Sequence, residues 1–295
     1  MGKGISIASI GAKMSVVARQ DYVSIAFGGI LAVLVTLSFG AFFRILFQDW
    51  IHNEEFSYGL LIPLIVGYLI WKRTDKLRTA LVYSWTTGFF ITGVGCSLQI
   101  VASRSGTLLL SGIAFITTLI GIIGFLWGLE VLRICVGPLA LLILMVPLPS
   151  YVIGEITWYL QLMASTVSAN ILERIGVPVF QDGNLLRLPN YVLEVKQACS
   201  GSRSILSLVA LALVIGLSGH EIWWKRGVLV LAAPILAVIA NVIRIVGTGL
   251  IARQWGNLAA NESLHSGWGV AVFLLGVSGL LGINNLLRRA GCENA

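Results

Sequence analysis

Three observations predict an all-α polytopic membrane protein with about eight transmembrane helices. Of 295 residues, 57% are hydrophobic and only 11% are charged, less than half the roughly 25% charged fraction of a soluble domain. Apolar runs of about 20 residues, enough to cross a hydrocarbon core of about 30 Å, recur along the whole length. The cations behind the net charge of +7 fall in short runs beside those apolar segments, which signals topology and not a nucleic-acid surface. One membrane domain is expected over residues 22–287, between a basic cytoplasmic N-terminus (1–21) and a cytoplasmic tail (288–295).

Tyr22 to Phe43 is the expected first span; its run is too long for a signal-peptide core and lacks a small-residue cleavage site. Asp49, His52, Glu54 and Glu55 then read as an acidic loop. Tyr58 to Trp71 is the second span, stopped by Lys72, Arg73, Lys76 and Arg78. Leu81 to Ala102 and Thr107 to Leu129 are the third and fourth, and a turn at Glu130 to Arg133 leads to a fifth. Pro147 and Pro149 close that one, because a proline has no amide hydrogen to continue the helix.

The extracytoplasmic segment 150–203 differs in character. Ser150 to Ile175 mixes Glu155, Gln161, Glu173 and Arg174 with apolar residues, as an amphipathic helix lying at the interface would. Val177 to Lys196 alternates weakly around Asp182-Gly183 and Pro189-Asn190, which predicts a small hairpin or flap. Ser204 to Leu217 is the sixth span, and His220 to Arg226 a loop. Gly227 to Ala252 is the seventh, Arg253 to Leu264 a polar loop, and Ser266 to Leu287 the eighth. With both termini inside, twelve of the 20 lysines and arginines are cytoplasmic, seven are outside, and Arg244 lies in the membrane. This is the positive-inside pattern.

That layout puts Cys199 on the outer face. Cys96 and Cys135 fall in spans and Cys292 in the cytoplasmic tail, so Cys199 has no evident disulfide partner on an oxidising face. A lone cysteine is either a small buried hydrophobe or a reactive thiol, and the topology favours the thiol. Arg244 costs about 2.5–3.5 kcal/mol inside a span, so it either works in a polar interior or snorkels outward for assembly. Asn241, one helical turn away, is placed to hold the guanidinium. His265 opens the eighth span on the same side, where a histidine is either simply solvated or an acid/base.

Thiol, guanidinium and imidazole together suit acyl transfer. Cys199 would be the nucleophile, His265 would move the proton, and Arg244 would stabilise the oxyanion. Ser200 and Gly201 flank the thiol, and Arg203 either tunes it or caps the membrane surface. One Cys and one His without further ligands make no zinc site, and no loop cradles phosphate; neither metal nor cofactor is expected. Two other readings stay open: an anion-binding secondary transporter in which Arg244 holds the substrate, and a membrane acyltransferase acting on lipid or glycan.

Ala198-Cys199-Ser200-Gly201, Asn241-Val242-Ile243-Arg244-Ile245, and His265 with Gly269 and Phe273 resemble the three signature blocks of the exosortases and archaeosortases. Phe56-Ser57-Tyr58-Gly59-Leu60-Leu61-Ile62-Pro63 and Met145-Val146-Pro147-Leu148-Pro149 are supporting matches, and the resemblance runs roughly from Gln48 to Leu281. Tyr58 stands where the family pattern has His, which weakens any role for that block in proton transfer. The resemblance implies a cysteine transpeptidase of a bacterial inner membrane. Its partners would be exported proteins with a C-terminal PEP-CTERM-like sorting tail, the surrounding lipids, and an acceptor such as an envelope glycan or lipid. The flap would bind the extended motif by strand addition, with Tyr191 and Glu194 contacting substrate.

Overall fold

A computed structural model describes residues 29, 33–53, 56–83, 85–189, 191–195, 202–219, 222–255 and 262–292. The chain is mostly helical. Thr86–Ser105, Leu108–Met145, Trp223–Gln254 and Gly267–Ala290 are long and apolar enough to cross a membrane, and Ser57–Trp71 and Ser204–Gly219 are shorter apolar helices.

Helix α1 (Gly40–His52) follows a helical stretch over 33–38. Asp49 and His52 are therefore not loop residues: both stand on α1, where His52 Nδ1 lies 2.9 Å from the Gln48 carbonyl oxygen. Glu54 and Glu55 lie outside the described residues. A 3-10 turn (Ser57–Leu60) leads into α2 (Leu61–Trp71), and the short α3 (Thr74–Thr79) follows. Helix α4 (Thr86–Ser105) starts later than the expected Leu81, whose backbone N–H instead donates to Glu130 Oε2 at 2.9 Å.

Helix α5 (Leu108–Ala140), extended by a 3-10 turn (Leu141–Met145), packs along α4 more closely than any other helix pair. An added Cβ at Gly88 would lie 2.5 Å from the Phe125 nitrogen, and one at Gly121 would lie 2.4 Å from the Thr92 nitrogen. Without side chains at these positions the backbones approach closely, as membrane helices do through small residues. The charged run Glu130 to Arg133 is helical and makes no turn. The break comes earlier, at Gly128, with φ 88° and ψ 177°, a conformation open to glycine and strained for other residues. Leu108–Met145 holds 38 residues, about 57 Å if straight and nearly twice a hydrocarbon core. The break at Gly128 divides it into two segments of membrane length.

Side-chain contacts sort the helix ends into two levels. At one end, Lys72 Nζ donates to the Ser218 carbonyl at 3.0 Å, and Arg73 donates to the carbonyls of Ile134 and Leu217. Lys225 Nζ donates to the Leu287 carbonyl there at 2.7 Å. This is the basic end. At the opposite end, Asp49, Asn53, Gly106, Pro147 and Ser150 line one cleft of about 590 Å³, and Trp50 Nε1 donates to the Met145 carbonyl at 3.0 Å. Counting Leu108–Met145 as two segments parted at Gly128 and leaving aside the short α3, successive helices thus alternate in direction between the two levels, with one exception.

The exception is α6 (Ser150–Arg174). It starts at the opposite-end cleft, and its Leu172 packs where a Cβ on Gly249 would meet it at 3.0 Å, near the far end of the helix that carries Gly249. Its buried face is not the large apolar one that a surface helix turns inward. Thr157, Gln161, Ser165, Ser168 and Leu172 form the buried face, while Tyr151, Trp158, Tyr159, Met163 and Val167 are exposed. The expected interfacial helix therefore packs on small and polar residues, while its exposed face mixes these apolar side chains with Glu155, Thr166, Asn170, Glu173 and Arg174.

The segment predicted as a small hairpin or flap is a three-stranded antiparallel meander: β1 (Phe180–Asp182), β2 (Leu185–Leu188) and β3 (Tyr191–Glu194). Phe180 pairs with Arg187, and Leu188 with Tyr191. Alternation along β2 and β3 turns Leu186, Leu188 and Leu193 into a core with Val177, Leu172 and Ile245, so the sheet is anchored against the helices.

Three helices complete the bundle: α7 (Ser202–Gly219), α8 (Trp223–Trp255) and α9 (Glu262–Cys292). Two loops are shorter than the charge pattern suggests. Trp223 to Arg226 already belong to α8, which continues through Arg253 to Trp255, and Glu262 to Leu264 belong to α9. Leu208, Ala212, Leu229, Ala233, Ala237 and Leu280 make their shared core, each essentially inaccessible.

Candidate functional site

Helix α8 has two unlike faces. Leu231, Ile235, Ile239 and Ile243 recur every fourth residue and are exposed, as a lipid-facing stripe would be. Asn241 and Thr248 are buried on the other side, and Arg244 between them is half-buried. A polar stripe therefore faces the bundle. Arg244 lies 18 residues beyond Arg226, about 27 Å along the helix, so it belongs to the opposite level from the basic end.

Three helices meet around Arg244. Ser204 and Leu208 of α7, Ala240, Asn241 and Arg244 of α8, and Gly269, Val272 and Phe273 of α9 line one small cavity. Gly269 leaves room for the guanidinium, since a Cβ there would lie 3.7 Å from Arg244 Nη1 and 3.8 Å from Cδ. An alanine would fit at ordinary contact distance; a larger side chain would intrude on the arginine. The Arg244 backbone is held as well, with its carbonyl accepting from Trp268 Nε1 at 3.1 Å and Thr248 Oγ1 at 2.9 Å. Trp268 reaches that carbonyl because Gly247 has no side chain. An added Cβ would sit 2.5 Å from the indole Cζ2.

The sequence-derived candidates divide as follows. Asn241 and Arg244 share the cavity. Asn241 is 5% exposed and its Nδ2 has no hydrogen-bond partner among the described residues, so that N–H points at no acceptor there. His265 is in the first turn of α9, three residues before Trp268 and four before Gly269. Helical spacing puts its position on the face that meets Arg244. Arg203 is in the first turn of α7. Cys199, Ser200 and Gly201 lie outside the described residues. Tyr191 is half-buried against the sheet core, whereas Glu194 is exposed. Tyr191 and Glu194 belong to the sheet that packs on Ile245, next in the chain to Arg244.

Sequence reasoning missed two elements of the surroundings. One is the clamp of Gly247 and Trp268 on the Arg244 carbonyl; a Gly and a Trp at separate places in the chain carry no local signal that they meet. The other is a polar seam on α6, the helix that packs chiefly on α8. Thr157 Oγ1, Ser165 Oγ and Ser168 Oγ are buried without a hydrogen-bond partner among the described residues. Buried hydroxyls of this kind are normally satisfied by protein or ordered water. The periodicity of polar residues on α6 was the available signal, though it does not say which face turns inward.

A half-buried guanidinium beside small residues, next to an unsatisfied amide and at the level of two helix starts, is equipped to bind and stabilise a developing negative charge. A family model described as transmembrane exosortase matches residues 50–282. Comparison with curated proteins and with solved structures gives no match. The match spans most of the chain and takes in all the helices that meet at Arg244, and the chain belongs to the transmembrane exosortase family.

Proposed function

We propose that this protein is a membrane-embedded cysteine transpeptidase that removes the C-terminal sorting tail of exported proteins, a PEP-CTERM-like motif followed by a transmembrane helix. The observation that carries the reading is the cavity where α7, α8 and α9 meet, lined by Asn241 and Arg244 of one family block and by Gly269 and Phe273 of another. Cys199 Sγ attacks the scissile carbonyl, and a thioester forms as the C–N bond breaks. His265 takes the thiol proton and delivers it to the departing amine. Arg244 balances the oxyanion of the tetrahedral intermediates. An acceptor nucleophile, from envelope glycan or lipid, or water then releases the product and restores the thiol.

In this reading the chain crosses a bacterial inner membrane eight times, with both termini and the basic end in the cytoplasm. The alternating helix directions and the cation distribution support it. Helix α6 and the sheet lie on the extracytoplasmic side as part of one catalytic domain. β3 is an edge strand that ends five residues before Cys199 in the chain, so an extended substrate motif adds to it near Tyr191 and Glu194. The substrate's own helix docks on the lipid-facing side of the bundle.

Cys199→Ala tests the reading. Processing of a tail-bearing substrate in the same membranes should be lost while the variant accumulates and unfolds at the wild-type temperature. Full processing by that variant would sink the mechanism.

A further inference from the structure

The basic end holds an open cleft of about 760 Å³ remote from the Arg244 cavity. Five cations line it: Lys72 and Arg73 just after α2, Lys76 of α3, Arg133 of α5 and Arg226 of α8. No carboxylate is among its described lining residues. Like charges brought together in this way repel unless something negative lies between them. Burial, and after it the nearby Arg226, lowers the Arg73 pKa from the usual arginine range.

The cations are held in place by structure. Arg73 is tied to the carbonyls of Ile134 and Leu217, and Lys72 to that of Ser218. A guanidinium has five N–H donors in a fixed fork, so these bonds to two carbonyls leave Arg73 with donors to spare. Lys76 and Arg133 are exposed at the rim. Such an arrangement fits a group with several charged oxygens, to which arginine and lysine both bind well.

The level of the cleft narrows the source of that group. Tyr68 and Trp71 end α2, Tyr83 and Trp127 flank the Gly128 break, and Trp223 and Trp224 begin α8, and all six are exposed. A ring of amphipathic aromatics marks the depth at which headgroups meet hydrocarbon. Trp71, which is 71% exposed, directly precedes Lys72 and Arg73 of the cleft wall. Basic pockets between helices at this depth suit anionic headgroups.

We propose that this cleft is a phosphate-binding site occupied by the headgroup of an anionic phospholipid. It binds where the end of α2, the segment of α5 after Gly128, the end of α7 and the start of α8 meet, against the cations gathered there. The purified full chain in detergent is incubated with phosphatidylglycerol or with phosphatidylcholine, and bound lipid is read by native mass spectrometry. Wild type retains phosphatidylglycerol in preference. Lys76→Gln with Arg133→Gln weakens retention by about fivefold per cation removed, whereas Arg104→Gln at the opposite end leaves it unchanged. Arg73 and Lys72 are left intact because they tie the helices together. If inorganic phosphate displaces the bound lipid at equal concentration and the lipid preference disappears, the source is a soluble phosphate and the lipid assignment is overturned. Equal retention of both lipids, unaltered in the double variant and insensitive to phosphate, overturns the site itself.

Discussion

Replacing Gly247 by alanine drives a methyl group into the Trp268 ring. The new Cβ would lie 2.5 Å from Cζ2, 2.9 Å from Cε2 and 3.0 Å from Nε1. Carbon atoms are comfortable at about 3.5 Å or more, so the ring must retreat by about 1 Å. That movement pulls the indole N–H from the Arg244 carbonyl, which it now reaches at 3.1 Å. Overpacking costs about 1–3 kcal/mol, and a lost hydrogen bond about 0.5–1.5 kcal/mol. The carbonyl keeps its bond from Thr248 Oγ1, so the combined loss in stability should stay near 2–4 kcal/mol. On the proposed role of Arg244 the effect on rate should be larger, because a shift of about 1 Å passed on to a reacting group costs on the order of a hundredfold. Thermal unfolding in detergent reads the first quantity, and processing of a tail-bearing substrate reads the second. Trp268→Phe keeps most of the ring and loses the N–H, so it should show the smaller defect of the two. Wild-type unfolding and wild-type processing in Gly247→Ala would refute the idea that this contact positions Arg244.

Other perturbations follow from single contacts. Gly128→Ala must hold a side chain at φ 88°, with its Cβ 2.2 Å from the Tyr83 carbonyl oxygen. Backbone strain alone costs about 1–3 kcal/mol, so the variant should unfold at a clearly lower temperature or fail to accumulate. Ser168→Ala removes a buried hydroxyl without a partner among the described residues, so thermal unfolding should be unchanged or slightly raised; Ser168→Leu overpacks the α6 face that meets α8 and should lower it. Arg244→Lys keeps the charge but loses the planar fork, and tail processing should fall severely while the protein stays folded. Normal turnover in that variant would make Arg244 a structural anchor.

The four helices of membrane length were legible because the membrane imposes one strong rule, long apolar runs ended by charge or proline. The rule fails where charge and chain direction part company. Glu130 to Arg133 look like a turn, yet Glu130 accepts the Leu81 N–H from within a helix. The reversal falls at Gly128, one of several glycines in an apolar run and the one whose φ is positive there. Helix α6 shows a second limit. Its buried face is small and partly polar and its exposed face mixes Tyr151, Trp158 and Val167 with Glu155, Glu173 and Arg174, so periodicity identifies two faces without saying what each one meets. The site was legible in part: Asn241 and Arg244 stood out as polar residues inside an apolar run. The Gly247–Trp268 clamp did not, since it joins residues of two helices through a contact that neither segment announces.

The acyl-enzyme is the central claim, and it can be weighed. Wild-type protein mixed with a tail-bearing substrate is quenched in acid, digested, and the peptide carrying Cys199 is analysed by mass spectrometry. The expected result is an adduct equal to the substrate without its tail, released by hydroxylamine and absent from Cys199→Ala. An adduct on another residue, or tail release at the wild-type rate without Cys199, would contradict the account.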